Sequence, residues 1–214
     1  MKKYLLFIDT ETTGIPKRWN LPYSDTNNWP SAVQVSWIIY DENGIEIKRE
    51  NCYIDDEDLK ISARSFRVHG ITKEFLSKKG QARSFVLEKL SSDIQKYQPL
   101  IIGHFTEFDI HTLSCDFYRA GLENPFQQSR FYCTMLKSKD YNLNPSEIYL
   151  RLNQLFEFLF NEKMERSHDA MIDAEMTAKC FFEIRSRGKI SEDELQKIHH
   201  DIECKLKFLT DKMK

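Results

Sequence analysis

The fold of this 214-residue chain can be predicted from one stretch, Tyr4-Leu5-Leu6-Phe7-Ile8-Asp9-Thr10-Glu11-Thr12-Thr13-Gly14. Its opening apolar run is too short to span a membrane and is typical of a buried β-strand over residues 4–9. Alternate residues of a strand point to the same face, so Asp9 and Glu11 are expected to project side by side at the strand's end. The two acids also interrupt the apolar run, and no small-residue cleavage site follows, which argues against a signal peptide.

This acidic pair predicts a metal site. Two adjacent carboxylates repel each other and raise each other's pKa values unless a cation neutralises them. Hard oxygen ligands suit Mg²⁺ or Mn²⁺. The following Thr12-Thr13-Gly14 supplies hydroxyls and a turn where backbone can approach a ligand closely. The alternative is a strand that ends in a solvated acidic turn, which is the better interpretation of an isolated Asp-x-Glu.

Composition limits the class of protein without selecting a function. Hydrophobic residues make up 41% and charged residues 30% of the chain, enough for one α/β domain with or without a short extension. The formal net charge of −2 does not favour a nucleic-acid-binding protein, which would typically be basic. The cysteine count is odd and no CxxC occurs, so the expectation is reduced thiols in a cytoplasmic protein: Cys52, Cys115, Cys133, Cys180 and Cys204.

The near-zero net charge hides a local segregation. Residues 41–58 contain eight acids and two bases, whereas residues 60–98 contain nine bases and three acids. We expect the basic segment to border the site and guide a phosphate backbone, with Lys78, Lys79 and Arg83 contributing. The alternative is two solvated faces that happen to differ in charge.

The order of predicted elements favours an α/β fold. Asn43-Gly44 is a hairpin signal between two strand-like runs, and Gly70 breaks one helical segment into short pieces. Strands are predicted at 4–9, 32–40, 44–53, 100–102 and 130–134, and helices within 62–78, 81–98, 108–120, 145–160, 169–187 and 191–209. Three antiparallel strands followed by parallel α/β units predict a mixed five-stranded sheet flanked by helices.

Two further segments carry chemistry. In Ile101-Ile102-Gly103-His104-Phe105-Thr106-Glu107-Phe108-Asp109, a short strand leads into a helix that places Asp109 near the sheet's carboxyl edge. An acid in a helix's first turn is also ordinary capping. In Ser167-His168-Asp169-Ala170-Met171-Ile172-Asp173-Ala174, His168 lies on the loop and Asp173 within the helix. An imidazole beside a metal cluster can take a proton from water, although a surface His before a capping Asp169 is the simpler interpretation of this segment alone.

Together the three segments resemble the motifs of the DEDDh 3′–5′ exonuclease superfamily, which includes the proofreading epsilon subunit of bacterial DNA polymerase, RNase T and oligoribonuclease. The resemblance spans residues 4–184, in the family's motif order. The matching positions are Asp9, Glu11, Thr12, Thr13 and Gly14, then Gly103, His104, Phe108 and Asp109, then His168 and Asp173, with His69-Gly70-Ile71 between the first two motifs. One position departs, since Phe105 stands where the family commonly has Asn, and the Cys133-Thr134 segment lacks an acid often found there.

The resemblance implies a ribonuclease H-like fold and phosphodiester hydrolysis with two divalent ions, Mg²⁺ or Mn²⁺. It implies that Asp9, bridging both ions, completes a ligand set with Glu11, Asp109 and Asp173. His168 would be the general base, and a nucleoside 5′-monophosphate would leave the 3′ end. The substrate contacts implied are Thr12, Thr13, Gly14, Ile15, Val68, His69, His104 and Phe108.

Some expectations keep an alternative open. Phe108 either stacks on a base or is an ordinary core residue at a helix start. Trp19 and Trp29 either touch a second nucleotide or pack under the long loop 14–31, and packing is the simpler expectation.

The expected partner is a single-stranded 3′ end of DNA or RNA, between which the sequence does not discriminate, and no membrane is expected. The alternatives are a proofreading subunit bound to a DNA polymerase, or a catalytically silent nucleic-acid- or protein-binding module on the same fold. Residues 1–188 would form the exonuclease domain and 189–214 a charged helical extension on or beside it. The oligomeric state stays open.

Overall fold

The computed structural model describes residues 3–142, 147–164 and 168–210, with side chains as far as residue 206. It confirms the predicted α/β class, a mixed five-stranded sheet flanked by helices. The strands are β1 Tyr4–Thr12, β2 Ala32–Asp41, β3 Glu46–Tyr53, β4 Leu100–Gly103 and β5 Arg130–Cys133. The helices are α1 Ala63–His69, α2 Lys73–Lys79, α3 Arg83–Tyr97, α4 Thr106–Ala120, α5 Thr134–Ser138, α6 Leu152–Phe160, α7 Ala170–Ser186 and α8 Glu192–Thr210.

The sheet order is β3-β2-β1-β4-β5, with β1 at the centre. Strand β2 is antiparallel to both of its neighbours, β1 and β3, whereas β1, β4 and β5 are parallel. The carboxyl ends of these three parallel strands therefore meet at one edge of the sheet. That edge is where ligands bind in open α/β sheets.

Helices cover both faces of the sheet. Phe7 of β1 packs edge-to-face on Phe181 of α7, with ring centroids 5.5 Å apart. The next residue of β1, Ile8, pairs with Trp37 of β2, and the Trp37 indole N–H donates to Asp93 of α3 at 2.9 Å. Because successive strand residues alternate faces, α7 lies on one side of the sheet and α3 on the other.

Strand β1 is longer than predicted. It continues past Asp9 to Thr12, because Thr10 and Glu11 pair with Val35 and Gln34 of β2 before the register shifts. The acidic pair thus lies within a paired strand and not in a turn after it. Strand pairing therefore fixes the backbone that directs both carboxylates to one face of the sheet.

Two helix predictions need correction. The helix predicted at 145–160 begins at Leu152; residues 143–146 lie outside the described part, and 147–151 are not helical. Arg151 is extended, and its backbone N–H donates to the Gln154 side chain, which caps the helix start. The helix predicted at 108–120 begins two residues earlier, at Thr106.

The final helix packs on the sheet's β5 side, where Ile198, Ile202 and Leu206 join the main core. The division into residues 1–188 and 189–214 stays a prediction, and 211–214 lie outside the described residues. All five cysteines are free thiols, four of them buried. Among the described residues, no helix is both long and apolar enough to cross a membrane.

Candidate active site

The four predicted metal ligands come together at the carboxyl edge of the parallel strands. Asp9 and Glu11 project from β1 toward the α7 side, where Asp173 lies in the first turn of that helix. Asp109 lies in the first turn of α4 and is 3% exposed. Ligand atoms of Glu11, Asp173 and His168 all lie within 4.8 Å of one another.

Burial and mutual repulsion destabilise the ionised carboxylates of this cluster, so binding of a proton or a cation is favourable. Burial, reinforced by Asp109 and Asp173, raises the pKa of Asp9 well above its usual value. Burial also raises the pKa of Glu11 to about 8, that of Asp109 to about 7 and that of Asp173 to about 6. Metal-free protein therefore keeps protons on carboxyls that a divalent cation would displace.

Thr10 holds Asp109 in place. It alternates with Asp9 and Glu11 along β1, so its side chain points to the opposite face. There its hydroxyl donates to Asp109 Oδ1 at 2.7 Å, in a buried hydrogen bond. Sequence reasoning missed this residue, although the same alternation that paired the two acids could have found it.

The two carboxylate oxygens of Asp173 differ in their contacts. Its Oδ2 accepts the backbone N–H of His168 at 3.1 Å. Its Oδ1 is buried and has no hydrogen-bond partner among the described residues. A buried, unpaired carboxylate oxygen is costly unless a cation satisfies it, so the residues present fit a metal ion.

His168 is exposed and stands at φ 69°, a left-handed conformation that a histidine seldom adopts. This turn places the residue over the start of α7, so that its backbone bonds Asp173 while its ring reaches Glu11 and Asp173. Ser167, which precedes it, lies outside the described residues.

A buried amide that the sequence analysis missed ties α7 to the sheet. Gln34 of β2 lies opposite Glu11 in the strand pairing and is 1% exposed. Its Nε2 donates to Asp169 Oδ1 at 3.3 Å, and its Oε1 accepts the Ala170 N–H at 3.3 Å. Asp169 in turn caps α7 by accepting the Met171 N–H. The helix that carries Asp173 is thereby held in register with Glu11.

The predicted contacts around the first motif form one wall of the site. Gly14 has open space where a Cβ would stand, and Ile15 beside it is 67% exposed. His69 Nδ1 accepts the Ile71 N–H, so Nε2 carries the proton and donates to the Thr12 carbonyl at 3.2 Å. Val68 is 45% exposed at the end of the same helix.

The Thr12-Thr13 backbone is braced from two sides. The Thr13 N–H donates to the Ser31 carbonyl, and the Thr13 hydroxyl accepts the Ser31 N–H. The Ser62 N–H at the start of α1 donates to the Thr13 carbonyl. Thr12 donates its hydroxyl to the Gly14 carbonyl at 2.7 Å. This part of the site is therefore preorganised by backbone contacts.

His104 is placed differently from the other predicted substrate contacts. One ring nitrogen meets the Thr134 hydroxyl at 3.0 Å and the other the Leu150 carbonyl at 3.1 Å. Burial lowers its pKa to about 4. Both nitrogens already have protein partners, which favours a positioning role that joins β4 to α5 and to the chain before α6.

The residue after His104, where this chain departs from the family pattern, has a strained backbone. Phe105 stands at φ 87°, a left-handed conformation that Asn tolerates and a bulky residue does not. Such a strained residue costs about 1–3 kcal/mol. Its ring stacks on Phe108 at 6.0 Å and 22°, and Trp19 lies 5.6 Å from it.

The expectation for Arg83 as a phosphate guide is wrong. Its side chain is 8% exposed and pairs with Asp56, Asp58 and Asp116, so it has a structural role. Lys78 and Lys79 are exposed on α2, and their part in substrate guidance stays a prediction.

Solved structures of known proteins share this fold. A complex of E. coli exonuclease I with a dT13 oligonucleotide superposes with a TM-score of 0.70 and 19% identity, over 86% of this chain and 41% of that chain. The zinc-ion-bound E. coli exonuclease I–ssDNA complex gives 0.71 and 20%, over 90% and 42%. A product-bound exonuclease I gives 0.66 and 21%, over 87% and 44%. This chain thus spans about two fifths of the length of those proteins.

No curated protein sequence matches the chain significantly. The sequence profile named RNase_T, described as an exonuclease family, matches residues 6–181. That range starts in β1 and ends within α7, so it contains all four clustered carboxylates and His168. The chain belongs to the RNase_T exonuclease family.

Proposed function

We propose that this protein is a metal-dependent 3′–5′ exonuclease. It would hydrolyse phosphodiester bonds at single-stranded 3′ ends of DNA or RNA and release nucleoside 5′-monophosphates. The observation that carries the proposal is the convergence of four carboxylates with an exposed histidine at one sheet edge. Family membership supports it, as do similar solved structures of E. coli exonuclease I that hold dT13 and dA16 oligonucleotides.

The proposed cofactors are two divalent ions, Mg²⁺ or Mn²⁺, held by Asp9, Glu11, Asp109 and Asp173. The ligands are all oxygens, which those ions prefer. When bound, such ions stabilise the negative charge that develops on the attacking and leaving oxygens. The unpaired Asp173 Oδ1 and the raised pKa values of the cluster support this assignment.

The proposed role of His168 is to take the proton of the attacking water. The residue is exposed, so its ring is accessible to water and substrate. Its backbone bond to Asp173 keeps the imidazole beside the carboxylates without using either ring nitrogen. Both nitrogens therefore stay available for proton transfer.

Substrate contacts are proposed along the wall built from the first motif and the end of α1. The backbone of Thr12, Thr13 and Gly14 would face the sugar of the terminal nucleotide. Ile15 and Val68 offer exposed apolar surface to the base, and His69 fixes the Thr12 carbonyl between them. Phe108, half-buried beside Asp109, would stack on an unpaired base, which contributes about 1–3 kcal/mol whatever the base.

The deciding experiment is a time course on single-stranded DNA, duplex DNA, RNA and dinucleotides, each with Mg²⁺ or Mn²⁺. We expect 5′-mononucleotides to appear from 3′ ends and chelation to stop the reaction. If no substrate releases mononucleotides and metal leaves the Tm unchanged, the protein is a silent binding module instead. A DNA polymerase partner rests on the sequence resemblance alone, and co-purification would test it.

Replacing His168 with alanine is expected to lower kcat by about 10²–10⁴-fold, the usual contribution of a positioned base. The loss should be smaller than that from removing a metal ligand. The rate should be followed from pH 6 to 9 with saturating metal. His200→Ala, which removes another exposed histidine on α8, should leave the rate unchanged. A normal His168→Ala rate across this range would rule out the base assignment.

Metal should stabilise the protein more at pH 8 than at pH 6. The folded-state pKa values of Glu11 (about 8) and Asp173 (about 6) lie above those of unfolded acids, near 4. Between these values the folded protein binds more protons, so the free energy of unfolding of metal-free protein falls as pH rises from about 5 to 8. Metal competes with fewer protons at the higher pH.

Thermal scans with and without Mg²⁺ at both pH values measure this difference. The larger metal-induced rise in Tm should occur at pH 8 and should shrink in Glu11→Gln. Equal metal-induced rises in Tm at the two pH values would contradict the prediction that protons and metal compete for the same carboxyl groups.

A further inference from the structure

Three aromatic rings form a surface directly outside the carboxylate cluster. Trp19, from the loop that follows the first motif, is 41% exposed. Its ring centroid lies 5.6 Å from Phe105 and 6.2 Å from Phe108, and the two phenylalanines stack at 22°. Phe108 is adjacent to the buried Asp109 in the first turn of α4, which places this aromatic surface near the carboxylate cluster.

The backbone of Phe105 indicates that its ring serves something other than folding. Its φ of 87° is unfavourable for a bulky side chain, and Asn would fit the same backbone with less strain. The ring is half-buried, in contact with Phe108 and Trp19 but still partly open to solvent. Strained residues that persist beside a site are candidates for function.

Positive charge accompanies the aromatic surface. Lys17 and Arg18 precede Trp19, are exposed, and form no ion pair among the described residues. The Arg18 N–H donates to Asn28 Oδ1 and its carbonyl accepts from Asn28 Nδ2, both at 2.8 Å. Asn28 is 4% exposed, so this clamp holds the backbone of the loop in place, and the two exposed cations directly precede Trp19 in it.

We propose that Trp19 and Phe105 form a stacking platform for the unpaired base on the 5′ side of the terminal nucleotide, with Lys17 and Arg18 beside its phosphate. The proposal rests on the proposed exonuclease function. Exposed aromatic surface on a loop that also carries exposed cations fits single-stranded nucleic acid, whose bases offer their faces to any aromatic ring. Bases inside a duplex are stacked on each other and cannot use it.

Phe105→Asn tests the platform, because relief of backbone strain should preserve or raise stability, whereas loss of the stacking ring should weaken substrate binding. The Tm should stay the same or rise, since the left-handed strain is relieved. The KM for dT8 should rise about tenfold or more, in keeping with the loss of one stacked base. The loss in kcat/KM on dT8 should exceed by about tenfold any loss on p-nitrophenyl thymidine 5′-phosphate, which carries a single base. The matched control Phe85→Asn, at an exposed phenylalanine of α3, should change neither substrate's kinetics.

Fluorescence provides a readout without turnover. In an Asp9→Ala background, dT8 should quench part of the tryptophan emission, and Trp19→Phe should remove that part. Equal losses on both substrates with a lowered Tm would mean that Phe105 is only a packing residue. An unchanged KM for dT8 with unchanged quenching would show that nucleic acid does not reach the rings. If the wild type cleaves neither substrate with either metal, the proposed function fails, whereas the quenching still tests the platform.

Discussion

Asp9→Ala is expected to reduce metal-supported cleavage below about 10⁻⁴ of the wild-type rate while raising the Tm of the metal-free protein. Asp9 lies between Glu11, Asp109 and Asp173, whose charges add to the effect of burial in raising its pKa. If Asp9 holds a metal ion as proposed, its loss would remove several kcal/mol of transition-state stabilisation, and about 5.5 kcal/mol corresponds to that factor. Removing one buried acid also relieves repulsion in the absence of metal.

Rates on single-stranded DNA with Mg²⁺ and with Mn²⁺, together with thermal scans in a chelator, measure both effects. Glu88→Ala removes an exposed acid of α3 and should alter neither. Asp9→Asn keeps the side-chain shape and should be as inactive as Asp9→Ala. A near-normal rate in either Asp9 variant would refute the metal assignment.

Asp116→Ala is expected to cause the largest loss of stability, about 3–5 kcal/mol, the usual result of removing one partner from a buried ion pair. The Asp116 carboxylate is fully buried and accepts from the Ala32 N–H at 2.9 Å and from Arg119 at 2.7 Å. Arg83 lies 3.4 Å away, and both arginine side chains are 8% exposed. The substitution would leave the buried guanidinium groups of Arg83 and Arg119 without one of their negatively charged partners.

Urea unfolding at neutral pH measures this loss as a shift of the midpoint at constant m-value. Asp58→Ala is the matched control, because Asp58 also pairs with Arg83 but its side chain is 55% exposed. It should lose no more than about 1 kcal/mol. If Asp116→Ala does not fold, Asp116→Asn keeps the volume and should show a smaller loss. A loss for Asp116→Asn no larger than that for Asp58→Ala would contradict the prediction.

This buried network also shapes the active site. Besides Asp116, the Arg119 guanidinium donates to the carbonyls of Thr26, Trp29 and Pro30. The loop that it holds ends at Ser31, whose backbone braces Thr13 through two hydrogen bonds. The long loop after the first motif is therefore anchored from α4, far from it in sequence.

The clustering of the four carboxylates could be predicted from sequence because they lie in short motifs with a local geometric meaning. Alternation along a strand pairs Asp9 with Glu11, and a strand-to-helix junction brings Asp109 to the sheet edge. The supporting residues could not be found in this way. Gln34 acts through Asp169 and Ala170, more than 130 residues away, and no local pattern marks that contact.

The burial and the contacts of charged and aromatic residues were the hardest features to predict from sequence. Arg83 belongs to a basic segment but is buried among three acids from two other parts of the chain, the 56–58 segment and α4. Trp29 is 3% exposed and donates to the Leu21 carbonyl, as the packing alternative expected. Trp19, from the same loop, stays open beside Phe105.

Local sequence patterns were enough to predict the order of the elements, the mixed sheet and the positions of the acidic motifs. Those features follow from the spacing of side chains along single strands and helices, which is local. Which polar groups are buried against partners, and which face solvent, could be read only from the folded chain. That outcome depends on contacts between distant segments, such as Arg119 with the 26–30 loop and Trp19 with Phe105, where burial and desolvation are set by the whole fold.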